Sequence, residues 1–268
     1  ANPPPPANHK LMDAKRFFKL GNPRGNENPF LLTFGILWFR FHNQMADRIK
    51  NKTGITDDEK LFNEARKWVI AVHQKIVFYD WLPRFLGKDP AGFRSNDSYR
   101  YVPAVHPGIA HIFQSAAMRF GHTMVTPGVM RRLAGSGCKA FETRSTSSAL
   151  GDKAAGKRGV RTCNSFWNPQ IPIQENVNGS VLDIEAFLRG MASQSAERED
   201  NIITEDLRGF VFGGLDFARR DLMAVNIQRG RDHGLPDYNT ARKAYGLEPK
   251  TNFMDIKAKD GDSYIEDG

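Results

Sequence analysis

The sequence predicts a mainly α-helical protein with long loops. Three observations carry that expectation. Apolar residues recur at three- and four-residue spacing behind helix-capping residues, as where Asp57-Asp58 precedes Leu61, Phe62, Ala65, Trp68, Val69, Val72 and Ile76. No segment shows a convincing two-residue alternation. The periodic segments are separated by stretches rich in Gly, Pro, Ser and Asn, the longest over 126–180.

Taken in order, residues 1–23 form a Pro-rich lead-in that ends in the turn Gly21-Asn22-Pro23. A first helix starts at Asn28-Pro29, with Asn as cap and Pro at the first helical position, and runs to about Ile49. Its first half is apolar nearly all round, which predicts a central, buried helix. The second helix begins after Asp57-Asp58 and ends near Pro83; residues 87–107 read as a loop. A third helix follows Pro107-Gly108 and runs to about Val125, then a basic Gly/Ser region fills 126–180. Four shorter helices follow, over about 183–197, 204–210, 219–228 and 237–245, the last stopped by Gly246.

Composition sets the outer limits. The chain has 268 residues, 40% hydrophobic, 25% charged and 11% aromatic, with mean hydropathy −0.51. That is the mix of a folded globular chain with enough length for a sizeable core. The longest apolar stretch, Phe30 to Phe39, is broken by Thr33 and closed by Arg40. It falls well short of the roughly 20 residues that span a bilayer. No charged-then-apolar leader opens the chain, which starts Ala1-Asn2 before Pro3 to Pro6. This points to a processed product or a piece of a longer protein.

Net charge is +8, and most of it lies between 131 and 161, where eight basic residues face only Glu142 and Asp152. A solvated surface loop explains this window better than a nucleic-acid site, because almost no aromatic side chains are there to stack on bases. Cys138 and Cys163 lie at or near the same window. They are either two free thiols or a disulfide closing a loop, the latter worth roughly 3–4 kcal/mol by chain entropy. Sequons at Asn51, Asn96 and Asn178 support an extracellular setting, and together with the Cys pair they point to a secreted or lumenal compartment.

The third helix carries the most informative histidine. At 100° per residue, Ile109, Ile112, Phe113, Ala116, Ala117, Phe120 and Met124 form one core stripe. His122 falls roughly 160° away, on a face with His111, Ser115, Met118 and Val125 that lacks charge. This looks like a second buried face, and Gly121 would let a flat partner approach the backbone. Either a second protein layer packs there around a core histidine, or His122 is an axial metal ligand. Two further clusters stand out. Arg24 and Glu27 sit just before the most apolar helix, where charge is expensive without a task. In the string Asn226 through Pro236, a turn accounts for Gly, Asp and Pro but not for Asn226 and Arg229 three apart on a helix end.

These strings, in this order, resemble the animal haem peroxidase family, the group related to myeloperoxidase and cyclooxygenase. They are Gly21 to Glu27, Arg40-Phe41-His42-Asn43, Arg119-Phe120-Gly121-His122-Thr123 and Asn226 to Pro236. The resemblance covers nearly the whole chain and is strongest to the peroxidase-like ectodomain of dual oxidases, through the opening Pro run, Gly25 to Phe30, Gly35 to Trp38, Gly190 to Gln194 and the Cys138/Cys163 pair. It implies a haem-peroxidase-type helical domain of which this chain holds the C-terminal portion.

The resemblance also implies roles. His122 matches the proximal haem-iron ligand, and Asn226 the partner of its imidazole. Arg24 matches the distal arginine that stabilises charge as peroxide is cleaved. Glu27 matches a carboxylate that can form an ester with haem b, and Arg119 and Arg229 match positions near the propionates. Asn28 stands where a haem-bonded methionine occurs in some members, which removes that link. The distal histidine and the calcium ligands would lie upstream of Ala1. The implied chemistry is hydrogen-peroxide-dependent one-electron oxidation of phenols or protein tyrosines. A dual oxidase parent would form the peroxide in an NADPH- and FAD-binding membrane half and hold this domain on the extracellular face of the plasma membrane. The isolated piece is expected to be weak or inactive. The alternative is a haem-poor module that docks a maturation factor. Nucleic acid is not expected as a partner.

Overall fold

The computed structural model describes residues 13–87, 101–132, 159–168, 184–210 and 220–256. Backbone proximity divides the chain into two compact units, Leu32–Pro107 and the remainder on either side of it.

In the second of these, two short 3-10 turns, Ala14–Arg16 and Pro23–Asn26, lead to helix α1 (Pro29–Thr53), which continues into the Leu32–Pro107 unit. The cap forms as expected: Leu31 N–H donates to Asn28 Oδ1 at 3.0 Å. Burial along α1 departs from expectation. Leu32 and Thr33 are buried, but Leu31, Phe34, Leu37 and Phe39 are exposed, Phe39 at 68%. The all-round apolar run therefore does not make α1 a buried central helix in this chain; it leaves an apolar face open.

Helix α2 (Asp58–Lys75) is capped by Asp57, whose carboxylate accepts from Lys60 N–H at 2.7 Å. It continues through a wider π-type segment, Ile76–Trp81, into α3 (Leu82–Phe85), so the chain stays helical through Pro83. Pro83 lies at the start of α3, and the chain stays helical there although proline has no N–H to donate to the preceding turn. Trp38 packs edge-on against Phe41 and His73, and His42 against Phe62, which joins α1 to α2 inside this unit.

The predicted third helix is two pieces: α4 (His111–Ser115) and a 3-10 segment, Ala117–His122. Ala116, at φ −128 and ψ −72, breaks the α path. A 3-10 turn advances about 120° per residue rather than 100°, so the helical-wheel faces do not carry across the break. Ile109 and Phe113 of the expected core stripe are 71% and 48% exposed, whereas Ser115 of the opposite face is buried.

The 126–180 region is not loop throughout. Strand β1 (Gly128–Met130) pairs antiparallel with β2 (Gly159–Arg161) in the register Val129 to Val160. Three residues are too few to show alternation, which is why the sequence reveals no strand. A short α5 (Thr162–Ser165) follows β2. Helix α6 (Ile184–Ala192) lies on this ribbon, shorter than the expected 183–197. Val129, Val160 and Phe187 form the core there, with Phe30 and Met191 against them. The Gln194 amide extends the ribbon: it donates to Gly128 O at 2.7 Å and Thr126 Oγ1 at 2.9 Å, and accepts from Met130 N–H at 3.0 Å. A π-type turn, Asp206–Phe210, precedes α7 (Leu222–Asp232) and α8 (Tyr238–Ala244). Helix α7 starts and ends a few residues later than 219–228 because Asp221 is its cap, accepting from Met223 N–H at 2.8 Å.

Cys138, Asn96, Asn178 and most of the basic window lie outside the described residues. Asn51 is exposed near the end of α1. Among the described residues, no helix is long and apolar enough to cross a membrane.

Candidate functional site

Two elements from distant parts of the sequence meet at His122. The 3-10 segment after α4 carries Arg119 and His122, and α7 carries Met223, Asn226 and Arg229 at three-residue steps. The end of α7 is fixed by the turn read in the sequence. Leu235 N–H donates to Gly230 O at 3.0 Å and Gly234 N–H to Arg231 O at 3.0 Å. Gly234 takes φ +62 between them, and this paired bonding with a left-handed residue ends the helix.

Asn226 Nδ2 lies 2.9 Å from His122 Nδ1 and 3.5 Å from Met223 Sδ. Asn226 Oδ1 accepts from Arg119 Nη1 at 3.3 Å, and Arg119 Nε donates to Gln114 O at 3.1 Å. The imidazole is thus held through Nδ1, and Nε2 makes no hydrogen bond among the described residues. Burial, and then the Arg119 charge, hold His122 below the ordinary imidazole range, against the Asn226 bond, which favours the protonated ring. A neutral ring has a lone pair to offer a metal.

The second group is built on the loop before α1. Asn22 Oδ1 accepts from Arg24 N–H at 3.1 Å, and Glu27 N–H donates to Arg24 O at 2.9 Å. The buried Asn26 side chain locks the turn: it accepts from Phe18 N–H at 2.9 Å and donates to Phe18 O at 3.0 Å. Burial pushes the Glu27 carboxyl above the usual carboxylate range, with the Arg24 charge opposing. Trp167 N–H donates to Glu27 O at 2.7 Å; this tryptophan is buried, takes φ +53 and leaves its indole N–H without a partner. The Arg24 and Arg229 side chains are exposed.

Hence His122, Asn226 and Arg119 come together, Arg24 and Glu27 form a separate pair, and Arg229 lies one helical turn beyond Asn226. Sequence reasoning missed Asn26, Met223 and Trp167. Asn26 had a signal, the recurrence of Asn at 22, 26 and 28 around the charged pair; the other two had none.

The sequence model described as animal haem peroxidase matches residues 2–266. The chain belongs to the animal haem peroxidase family. It is 43% identical over 250 residues to dual oxidase 1 of Caenorhabditis elegans, covering 93% of this chain and 15% of that protein. Against dual oxidase 1 of Homo sapiens it is 41% identical over 252 residues, with the same two coverages of 93% and 15%. The fold matches peroxidase A from Dictyostelium discoideum with TM-score 0.73 and 30% identity, over 93% of this chain and 43% of that one. The chain therefore spans a small part of the dual oxidases it matches.

The residues fit a haem. Among the described residues, no three His, Cys, Asp or Glu side chains gather to hold a metal. His122 offers one imidazole nitrogen that no hydrogen bond among the described residues occupies, and one such donor is what an iron already ringed by porphyrin nitrogens takes from the protein. A Cβ placed on Gly121 would meet nothing within 4 Å, so the backbone beside the imidazole is open.

Proposed function

We propose that this chain carries the proximal side of a haem peroxidase centre, with His122 as the axial iron ligand. The observation that supports it best is the 2.9 Å pairing of His122 Nδ1 with Asn226, which leaves Nε2 for an outside ligand. Haem, when bound, supplies one-electron oxidation driven by hydrogen peroxide. The protein residues set the conditions. With the Asn226 amide turned to present Oδ1, it accepts the Nδ1 proton and makes His122 a stronger donor. Arg119, with Arg229, offers a guanidinium to haem carboxylates. Arg24 would offer a cation to peroxide and to the negative charge that develops as it is cleaved. Glu27 is the carboxyl for an ester link to haem b.

The finer reading follows the relatives. Substrates are small phenols or protein tyrosines. The whole protein is a dual oxidase with FAD and NADPH in another part, and this domain stands on the extracellular face of the plasma membrane. Cys138 and Cys163 pair as a disulfide; Asn51, Asn96 and Asn178 accept glycans. Calcium, if bound, belongs to a segment outside this chain. Titration with haem tests the central assignment: a Soret band forms with the chain and is lost in His122→Ala. An unchanged band in that variant would overturn it. A folded chain that takes up no haem would favour the docking module instead. Turnover by this chain alone stays well below that of a complete peroxidase domain.

A further inference from the structure

We propose that His111 and His233 form a two-histidine site for a divalent transition metal, Zn2+ being the reference ion. The two rings come from the start of α4 and the end of α7, with centroids 5.2 Å apart and planes at 87°. Zinc binds imidazole nitrogen at about 2.0–2.1 Å, and a ring centre lies about 1.2 Å behind its nitrogen, so two imidazoles on one tetrahedral ion have centres about 5 Å apart. The observed separation matches that distance. Both residues are exposed, which lets water complete the coordination. Neither ring makes a hydrogen bond among the described residues, so no nitrogen lone pair is already committed.

The site lies outside the His122 centre but joins the same two elements. His111 precedes the segment that bears His122, and His233 ends the helix that bears Asn226. An ion bridging them ties α4 to α7 independently of the His122–Asn226 pairing.

The test is a calorimetric titration of the haem-free 268-residue chain with ZnCl2, so its outcome does not depend on the haem assignment. One site of micromolar affinity is expected, weakened at least tenfold in His111→Ala and in His233→Ala. The double variant should be no weaker than either single one, because half a site does not hold the ion. His122→Ala should keep wild-type affinity. Wild-type affinity in either single variant, or a loss that follows His122, would overturn the proposal. X-ray absorption of the zinc-loaded wild-type chain decides the matter without any variant: two imidazoles on the ion support it, and one or none refutes it.

Discussion

Asn226 Nδ2 stands 2.9 Å from His122 Nδ1, joining residues 104 positions apart in the chain. The relationship binds the imidazole through Nδ1 and leaves Nε2 without a hydrogen bond among the described residues. Asn226 in turn is held by Arg119 at 3.3 Å, so three side chains define one ring orientation.

Removing that hold should weaken haem uptake. Asn226→Ala frees the ring to rotate, and outer partners of metal-ligating histidines are typically worth 10- to 100-fold in affinity. The expected result is a haem affinity lower by that factor, read from the Soret band. Asn226→Asp should retain uptake and lower the reduction potential, because a carboxylate makes the imidazole a stronger donor. Equal affinity in wild type and Asn226→Ala would contradict the orienting role.

The chain should lose stability on mild acidification through the same histidine. Burial and the Arg119 charge lower its pKa in the folded chain, while the unfolded chain takes the proton near about 6.5. Between the two values the unfolded state binds more protons, so stability rises with pH across that window and falls as pH drops below about 6.5. His122→Gln should flatten this part of the urea-midpoint profile between pH 7.5 and 5.5. Arg119→Gln should move the His122 titration upward in an NMR titration. A slope that persists unchanged in His122→Gln would assign the effect elsewhere.

Much of this arrangement was legible in the sequence, and the losses have physical causes. The helix starts at Asn28 and Asp57 and the Gly234 turn were readable because each rests on bonding within a few residues. The pairing of His122 with Asn226 was readable only through family resemblance, since no local pattern encodes a contact between the Ala117–His122 segment and α7. The face arithmetic on 109–125 failed because Ala116 changes the helix type in mid-segment. The exposure of Phe39 and Phe113 could not be anticipated from periodicity, which tells which residues share a face and not whether anything covers it. The β1–β2 ribbon was invisible because three-residue strands carry no period.

The Arg161–Asp206 pair should be one of the main supports of the ribbon. The Asp206 carboxylate is 1% exposed, accepts from Arg161 Nη2 at 2.9 Å and from Arg161 Nε at 3.2 Å, and also takes Cys163 N–H at 3.0 Å. Burial pushes the neighbouring Cys163 thiol up to about 11, with the Asp206 charge adding to it. Asp206→Ala leaves a guanidinium and a backbone N–H without their partner, and breaking such a pair costs about 3 kcal/mol or somewhat more. Equilibrium urea unfolding measures this. Once reduced, the Cys163 thiol should also alkylate faster in Asp206→Ala than in wild type at pH 8. A loss under about 1 kcal/mol would place the pair with weak surface bridges.

Two glycine substitutions should act in opposite directions. A Cβ on Gly190 would lie 1.9 Å from Met130 O and 2.4 Å from Met130 C. Both are backbone atoms of β1, and Arg132 N–H donating to Ala186 O at 2.9 Å holds the strand end and α6 together. The clash cannot be relieved by a side-chain rotation, so α6 must lift from the ribbon that Gln194 also binds. Gly190→Ala should therefore destabilise by about 1–3 kcal/mol, as overpacking does. Gly35 sits within α1 where an added Cβ meets nothing within 4 Å. There alanine only narrows the unfolded ensemble and improves helix propensity, so Gly35→Ala should stabilise by about 0.5–1 kcal/mol. Thermal melts of the two variants give the comparison. Equal melting temperatures would mean that α6 does not rest on β1 as closely as the Gly190 geometry requires.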